Sequence, residues 1–173
     1  MRIQNFTSRL GAGVRPNKFR VICPFPTFAI IGGETNDLTI LAKAAALPSS
    51  TLGVIEVPFH GRKAKLAGDR IDDPWSITVL NDPAMKLRNA FERWNNGIKT
   101  HVSNVGLTSL NDYSVDIQIQ QLDLGDNVIK TYTLISAWPE KIGQIDLSMD
   151  SENAIEEFTV DFQFQALSSD TMS

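Results

Sequence analysis

The sequence predicts a mainly β protein, an antiparallel β-sandwich or barrel with one flanking α-helix. From Tyr113 to Gln120, the apolar Tyr113, Val115, Ile117 and Ile119 alternate with Ser114, Asp116, Gln118 and Gln120, which sets one group on each face of a strand. The same alternation returns from Glu157 to Gln165, with Phe158, Val160, Phe162 and Phe164 against Glu157, Thr159, Asp161, Gln163 and Gln165. One stretch, after Asp82, has helical spacing instead.

Further strands are expected at Lys18 to Ile22, Thr39 to Ala44, Leu52 to Phe59, Arg62 to Leu66, Trp75 to Leu80, Val128 to Ser136 and Gln144 to Ser148. Clusters of Gly, Pro, Asn and Asp separate them. Leu124-Gly125-Asp126-Asn127 reads as a hairpin turn, with Gly125 and Asn127 suited to positive φ. In the helix, Asp82 is the expected cap, Pro83 fits the first position, and Leu87, Ala90, Phe91 and Trp94 share one face until Asn95-Asn96-Gly97 stops it. Lys86, Arg88, Glu92 and Arg93 fall on or near the solvated side. Residues 1–14 and 167–173 are polar with scattered Gly or Ser, and extended termini with little independent structure are expected there.

A chain of 173 residues with 42% hydrophobic content fits one domain, 1–173, that buries roughly 70% of its unfolded surface. No run approaches the ~20 apolar residues of a membrane span, and MRIQNFTSRL lacks the apolar segment of a signal peptide, so a cytoplasmic chain with no membrane contact is expected. Cys23 is alone, which rules out a disulfide within the chain and suits a small core hydrophobe. The formal charge of −4 argues against a surface that grips nucleic acid, because that grip depends on Lys and Arg neutralising phosphates.

The residues offer little for catalysis. His60 and His101 are the only imidazoles, and no Cys, Asp or Glu stands at a metal-ligand spacing beside either. Asp69, Asp72 and Asp73 lie close to Arg62, Lys63, Lys65 and Arg70, which an enzyme would use as paired carboxylates. Mixed charge around Gly61 and Gly68 suits ion pairs with a neighbouring subunit better. Gly11-Ala12-Gly13 and Gly32-Gly33 lack the Gly-Lys-Ser or Gly-Lys-Thr of a phosphate loop. No catalytic residue, cofactor or metal is expected.

Pro58, Phe59, Gly61, Arg62, Lys63, Ala67, Gly68, Asp69, Arg70, Asp73, Trp75 and Asn81-Asp82 form a run that resembles the tail tube proteins of contractile-tailed bacteriophages. Upstream, Arg15-Pro16-Asn17-Lys18-Phe19 and Lys43-Ala44-Ala45-Ala46-Leu47-Pro48 extend the resemblance. Downstream, Trp138-Pro139, Ile142-Gly143, Leu147 and the stretch from Asp150 to Phe158 carry it on, so that it covers about Arg15 to Gln165. Met149 departs from it where an aromatic is expected, and Ala137 where glycine is frequent.

The resemblance implies a virion protein, assembled in the host cytoplasm, whose hexameric rings stack into the inner tube of a contractile tail. It implies as partners further copies of the chain, the sheath, a baseplate hub or initiator, a tape-measure protein and DNA that passes without specific binding. By the same resemblance, residues 47–73 form an arm toward the adjacent ring, with Phe59, Arg62, Lys63, Asp69, Arg70 and Asp73 as contacts, the alternative being a self-contained hairpin. Asp116, Gln118, Gln120, Glu157, Asp161 and Gln163 would line the channel; Lys86, Arg88, Glu92 and Arg93 would face the sheath. An open sheet presents unpaired edges, and pairing each subunit with the next would remove them. A baseplate tube initiator, or an effector-carrying ring of a secretion or injection system, stays open as an alternative.

Overall fold

A computed structural model describes residues 3–11 and 13–171. In chain order the elements are α1 (Ile3–Leu10), β1 (Phe19–Ile22), α2 (Glu34–Leu41), β2 (Ala42–Ala45), β3 (Thr51–Phe59), β4 (Arg62–Ile71), β5 (Trp75–Leu80), α3 (Lys86–Ile98), α4 (Leu110–Tyr113), β6 (Val115–Leu122), β7 (Val128–Ile142), β8 (Glu157–Gln163) and β9 (Ala166–Ser169). The larger sheet runs β1-β6-β7-β8-β5-β2 with β9 also on β7, and every pairing is antiparallel.

The long strand β7 belongs to two walls. Its first part pairs with β6 and β9, and Trp138 to Ile142 pair with β8. At the change-over Ile135 and Ser136 together oppose Asp116, and Ser136 takes a φ of 53°. Such a bulge bends a strand and raises its twist, which turns β7 from one wall into the other. The ladder stays open, with the end strands β1 and β2 near one another and α2 packed on β1, β5 and α3 at that seam. Thr39 Oγ1 donates there to the Val21 carbonyl at 2.9 Å.

The alternating residues Ile117, Ile119, Phe158, Val160, Phe162 and Phe164 all point into the core, as their spacing predicts. The four apolar residues of α3, Leu87, Ala90, Phe91 and Trp94, are fully buried over them. Aromatic rings knit the two layers: Phe25 lies 4.9 Å from Phe91, and Phe91 lies 6.0 Å from Phe162. Each buried indole finds an acceptor, Trp94 on the Tyr113 carbonyl and Trp75 on that of Ala46, both at 2.7 Å. Cys23 is buried among these side chains, and burial pushes its thiol far above the ordinary range.

Several boundaries differ from the sequence expectation. Thr39 to Ala44 is divided between a helix and a strand, because Gly33 opens α2 in the left-handed region and Glu34 and Asp37 place negative charge in its first turn. The helix α3 begins at Lys86 after a turn in which the Asp82 carboxylate accepts the N–H groups of Ala84 and Lys86. It continues past Asn95-Asn96 to Ile98, and Gly97 lies inside it where a Cβ would overlap the Phe28 ring. Gln144 to Ser148 forms no strand; β7 runs on through Pro139 instead, where the register shift before Lys141 accommodates a residue with no N–H.

Tyr113 closes α4, and β6 starts two residues later. β4 extends beyond Leu66 to Ile71, while β8 ends at Gln163. In the β6–β7 turn the positive φ, 62°, falls on Asp126, since Asp123 accepts the N–H groups of Gly125 and Asn127 and fixes both. The termini are more regular than expected: residues 3–10 form α1, and β9 pairs with Tyr132–Ile135. Residues 1, 2, 12, 172 and 173 lie outside the described residues.

Candidate functional site

The segment from Thr51 to Ile71 folds into a two-stranded hairpin that, among the described residues, pairs only with itself. His60 and Gly61 form its two-residue turn with φ of 43° and 77°, the positive values such turns require. Directly opposed residues share a face. One face carries Ile55 opposite Leu66, Val57 opposite Ala64 and Phe59 opposite Arg62. The other carries Glu56 opposite Lys65 and Pro58 opposite Lys63, with Lys63 Nζ 2.5 Å from the Glu56 carboxylate.

The hairpin is thus amphipathic, and among the described residues its apolar face is left largely exposed. Phe59 is 66% exposed and Leu66 57%. An isolated two-stranded hairpin is marginal in water, and a contiguous apolar patch on a projecting element marks an interface. Asp69 and Arg70 lie at its base, where Arg70 is hydrogen-bonded to Ser50, and Asp73 sits in the link to β5. Phe59, Arg62 and Lys63 therefore share the tip, while Asp69, Arg70 and Asp73 are at the opposite end of the arm.

The sheet face away from the core mixes amides and hydroxyls with a few charged side chains, Arg20 and Lys141 among them. Gln118 stands opposite Thr133 and Thr133 opposite Ser168; Gln120 is opposite Thr131 on one side and Arg20 on the other. In the second wall Asp161 is opposite Ser76 and Lys141, and Thr159 opposite Thr78. The carboxylates on this face are engaged: Asp161 with Ser76 Oγ at 2.5 Å, Glu157 with Lys43, and Asp116 with the Ser136 N–H. Gln163 donates to Glu140 at 2.7 Å.

The four charged residues Lys86, Arg88, Glu92 and Arg93 of α3 divide into two pairs. Arg88 bonds Glu92 at 2.7 Å and the Gly143 carbonyl at 2.5 Å, and its guanidinium lies 5.3 Å from the Phe158 ring centroid. Arg93 donates to the Ala29 carbonyl at 2.9 Å and pairs with Glu34, which is 3% exposed. Burial works to raise the Glu34 carboxyl, but the N–H groups of Ile31, Gly32 and Glu34 together with Arg93 hold it below the ordinary value. The arginines secure α3 to the body of the subunit. Lys86 and Glu92 remain largely exposed.

Sequence reasoning passed over two apolar surfaces. Ile3, Phe6 and Leu10 share a face of α1 at helical spacing and are exposed. The β7–β8 connection, residues 143–156, carries exposed Leu147, Met149 and Ile155 among carboxylates. Reading that stretch for a strand hid its acidic character. His60 and His101 lie apart, at the hairpin turn and after α3, and no group of three metal-ligating side chains occurs among the described residues.

A family model described as phage tail tube protein matches residues 14–169, a span that includes the hairpin, both walls and α3. The chain belongs to the phage tail tube protein family. It is similar to the tail tube protein of Serratia phage KSP90, with 36% identity over 162 residues that make up 93% of this chain and 92% of the relative. It is also similar to tail tube protein gp19 of Enterobacteria phage T4, 30% identical over 151 residues, 87% of this chain and 88% of that one.

Among solved structures, a chain of the anti-feeding prophage baseplate matches with a TM-score of 0.66 at 20% identity, over 88% of this chain and 91% of that one. A chain of the sheath-tube complex of the PVC extracellular contractile injection system, in its extended state, matches with a TM-score of 0.62 at 15% identity over 94% and 96%. At such identities the likeness is one of fold. This tail tube protein is a structural component of the virion tail, and its open antiparallel sheet is a fold shared with chains of contractile injection systems.

Proposed function

We propose that this tail tube protein forms hexameric rings that stack into the inner tube of a contractile tail and acts with no enzymatic activity of its own. The uncovered apolar face of the β3–β4 hairpin carries this reading, since a projecting amphipathic ribbon requires a neighbour to bury it. The arm of residues 47–73 reaches the adjacent ring, with Phe59, Arg62 and Lys63 making the outermost contacts. The face bearing Gln118, Gln120, Asp161 and Gln163 lines the channel, where engaged carboxylates and neutral amides let DNA pass without being held. Lys86 and Glu92 present the outer side of α3 to the sheath. Baseplate and tape-measure proteins complete the set of partners.

Negative-stain electron microscopy of the purified protein across a concentration series tests this. Long hollow tubes of stacked rings are the expected result. Isolated rings at every concentration would favour a tube initiator or a secreted carrier, and monomers throughout would count against self-assembly. For the channel, Asp161→Lys with Gln163→Lys is expected to slow genome delivery and make it salt-sensitive; unchanged delivery would sink that assignment.

A further inference from the structure

Opposite ends of one sheet wall carry complementary surfaces. The pair β5–β8 runs from Trp75 opposite Phe162 to Leu80 opposite Glu157. The hairpin enters at the Trp75 end through Asp72, Asp73 and Pro74. The β7–β8 connection enters at the Glu157 end. From Glu56 to Lys65 the hairpin tip holds Arg62, Lys63 and Lys65 against one acid, Glu56, which Lys63 engages, so the tip stays basic. From Gly143 to Glu157 the connection holds Asp146, Asp150, Glu152, Glu156 and Glu157 and no basic residue.

Apolar side chains accompany the charges at both ends. Ile145, Leu147, Ala154 and Ile155 line a groove that Asp146 and Glu156 also line, together with Lys43, which is paired with Glu157. Leu147, Met149 and Ile155 are at least 70% exposed, so this segment, like the hairpin, leaves large apolar side chains uncovered. Two uncovered patches of opposite charge at opposite ends of one chain give a head-to-tail contact rather than a symmetric one. Such a contact propagates along a stack.

We infer that the groove of the 143–156 segment receives the β3–β4 hairpin tip of a second copy of this chain in the next ring. Phe59 and Val57 enter among Leu147, Met149 and Ile155 with Arg62 beside them, and Lys63 and Lys65, on the ribbon's other face, meet carboxylates along the rim. This rests on the tube-subunit reading and names the receiving surface, which that reading leaves unassigned. Single exposed ion pairs contribute little, so the apolar insertion supplies the stability and the charges set direction and register.

A charge exchange tests it. Two variants reverse one side each, Arg62→Glu/Lys63→Glu/Lys65→Glu and Asp146→Lys/Asp150→Lys/Glu152→Lys, and a third combines all six substitutions. Circular dichroism checks that each is folded, and sedimentation with negative-stain microscopy reads the concentration at which tubes form. Each single-sided reversal is expected to raise that concentration by about 10-fold or more, and the combined variant to recover at least half of the loss. As a second readout, Gly61→Cys and Met149→Cys in one chain, with Cys23→Ser, are expected to give disulfide-linked ladders in assembled material.

If wild-type protein makes tubes, and reversing the 143–156 charges leaves assembly unchanged or the combined variant fails to recover while no ladder forms, the receiving surface is elsewhere and this inference falls. The tube reading would survive that result. If the wild type forms no rings or tubes under any condition, the tube reading itself fails first.

Discussion

The Asp116 carboxylate accepts the backbone N–H of Ser136 at 2.9 Å, across the point where β7 passes from one wall of the sheet to the other. Ser136 is held at a φ of 53°, which costs a non-glycine residue roughly 1–3 kcal/mol and persists only because its surroundings fix it. One carboxylate thereby stabilises the bend that shapes the whole sheet.

Asp116→Ala is expected to destabilise the folded subunit by about 1 kcal/mol, the typical worth of such a bond. Ser136→Gly should recover a similar amount in that background by removing the backbone strain. Urea denaturation of the single and double variants checks this. An Asp116→Ala protein as stable as the parent would show that the ladder alone holds the bend.

Much of this architecture was legible from the residues. The two alternating strands and the buried face of α3 followed from periodicity, since both lie against one core with solvent behind them. The bend at Ser136 was not, because nothing in Ile135-Ser136 differs from an ordinary strand until Asp116 on another strand is placed beside it. The helix α2 was hidden for a related reason: Thr39 and Ile40 favour strands locally, whereas Leu38 buried in the core and Glu34 held by Arg93 decide the outcome from afar. The hairpin tip was readable, and the acidic segment at the other end was misread as a strand.

Acid should loosen the α2 and α3 contact. Because the folded Glu34 carboxyl sits below its ordinary value, its contribution is full above the usual carboxylate range and is lost as pH falls through the folded value. Glu34→Gln is expected to cost about 1–3 kcal/mol at pH 7 and to flatten the decline in stability at acid pH. Thermal unfolding from neutral pH down to below that range reads both effects, and an unchanged acid profile would shift the responsibility to other carboxylates.

Gly97 inverts a familiar rule. Replacing a glycine inside a helix by alanine ordinarily adds roughly 0.5–1 kcal/mol, and Gly97 lies in the last turn of α3. Here the new methyl would displace the Phe28 ring, so Gly97→Ala is expected to destabilise by about 1–3 kcal/mol, as overpacked sites do. Pairing it with Phe28→Ala should restore the ordinary gain relative to Phe28→Ala alone, which chemical denaturation would detect.

Phe59→Ser separates folding from assembly. With the side chain exposed in the free subunit, unfolding free energy should stay within about 0.5 kcal/mol of the parent. Tube formation monitored by light scattering should fall sharply. A variant that unfolds earlier would place Phe59 within the subunit's own packing.

The hairpin tip and the acidic connection at opposite ends of the β5–β8 wall also give the subunit a direction. Any filament joined through them has unlike extremities, one displaying bare basic ribbons and the other bare acidic grooves. A factor that starts growth and a factor that halts it then face different chemistry, so neither could substitute for the other by turning around.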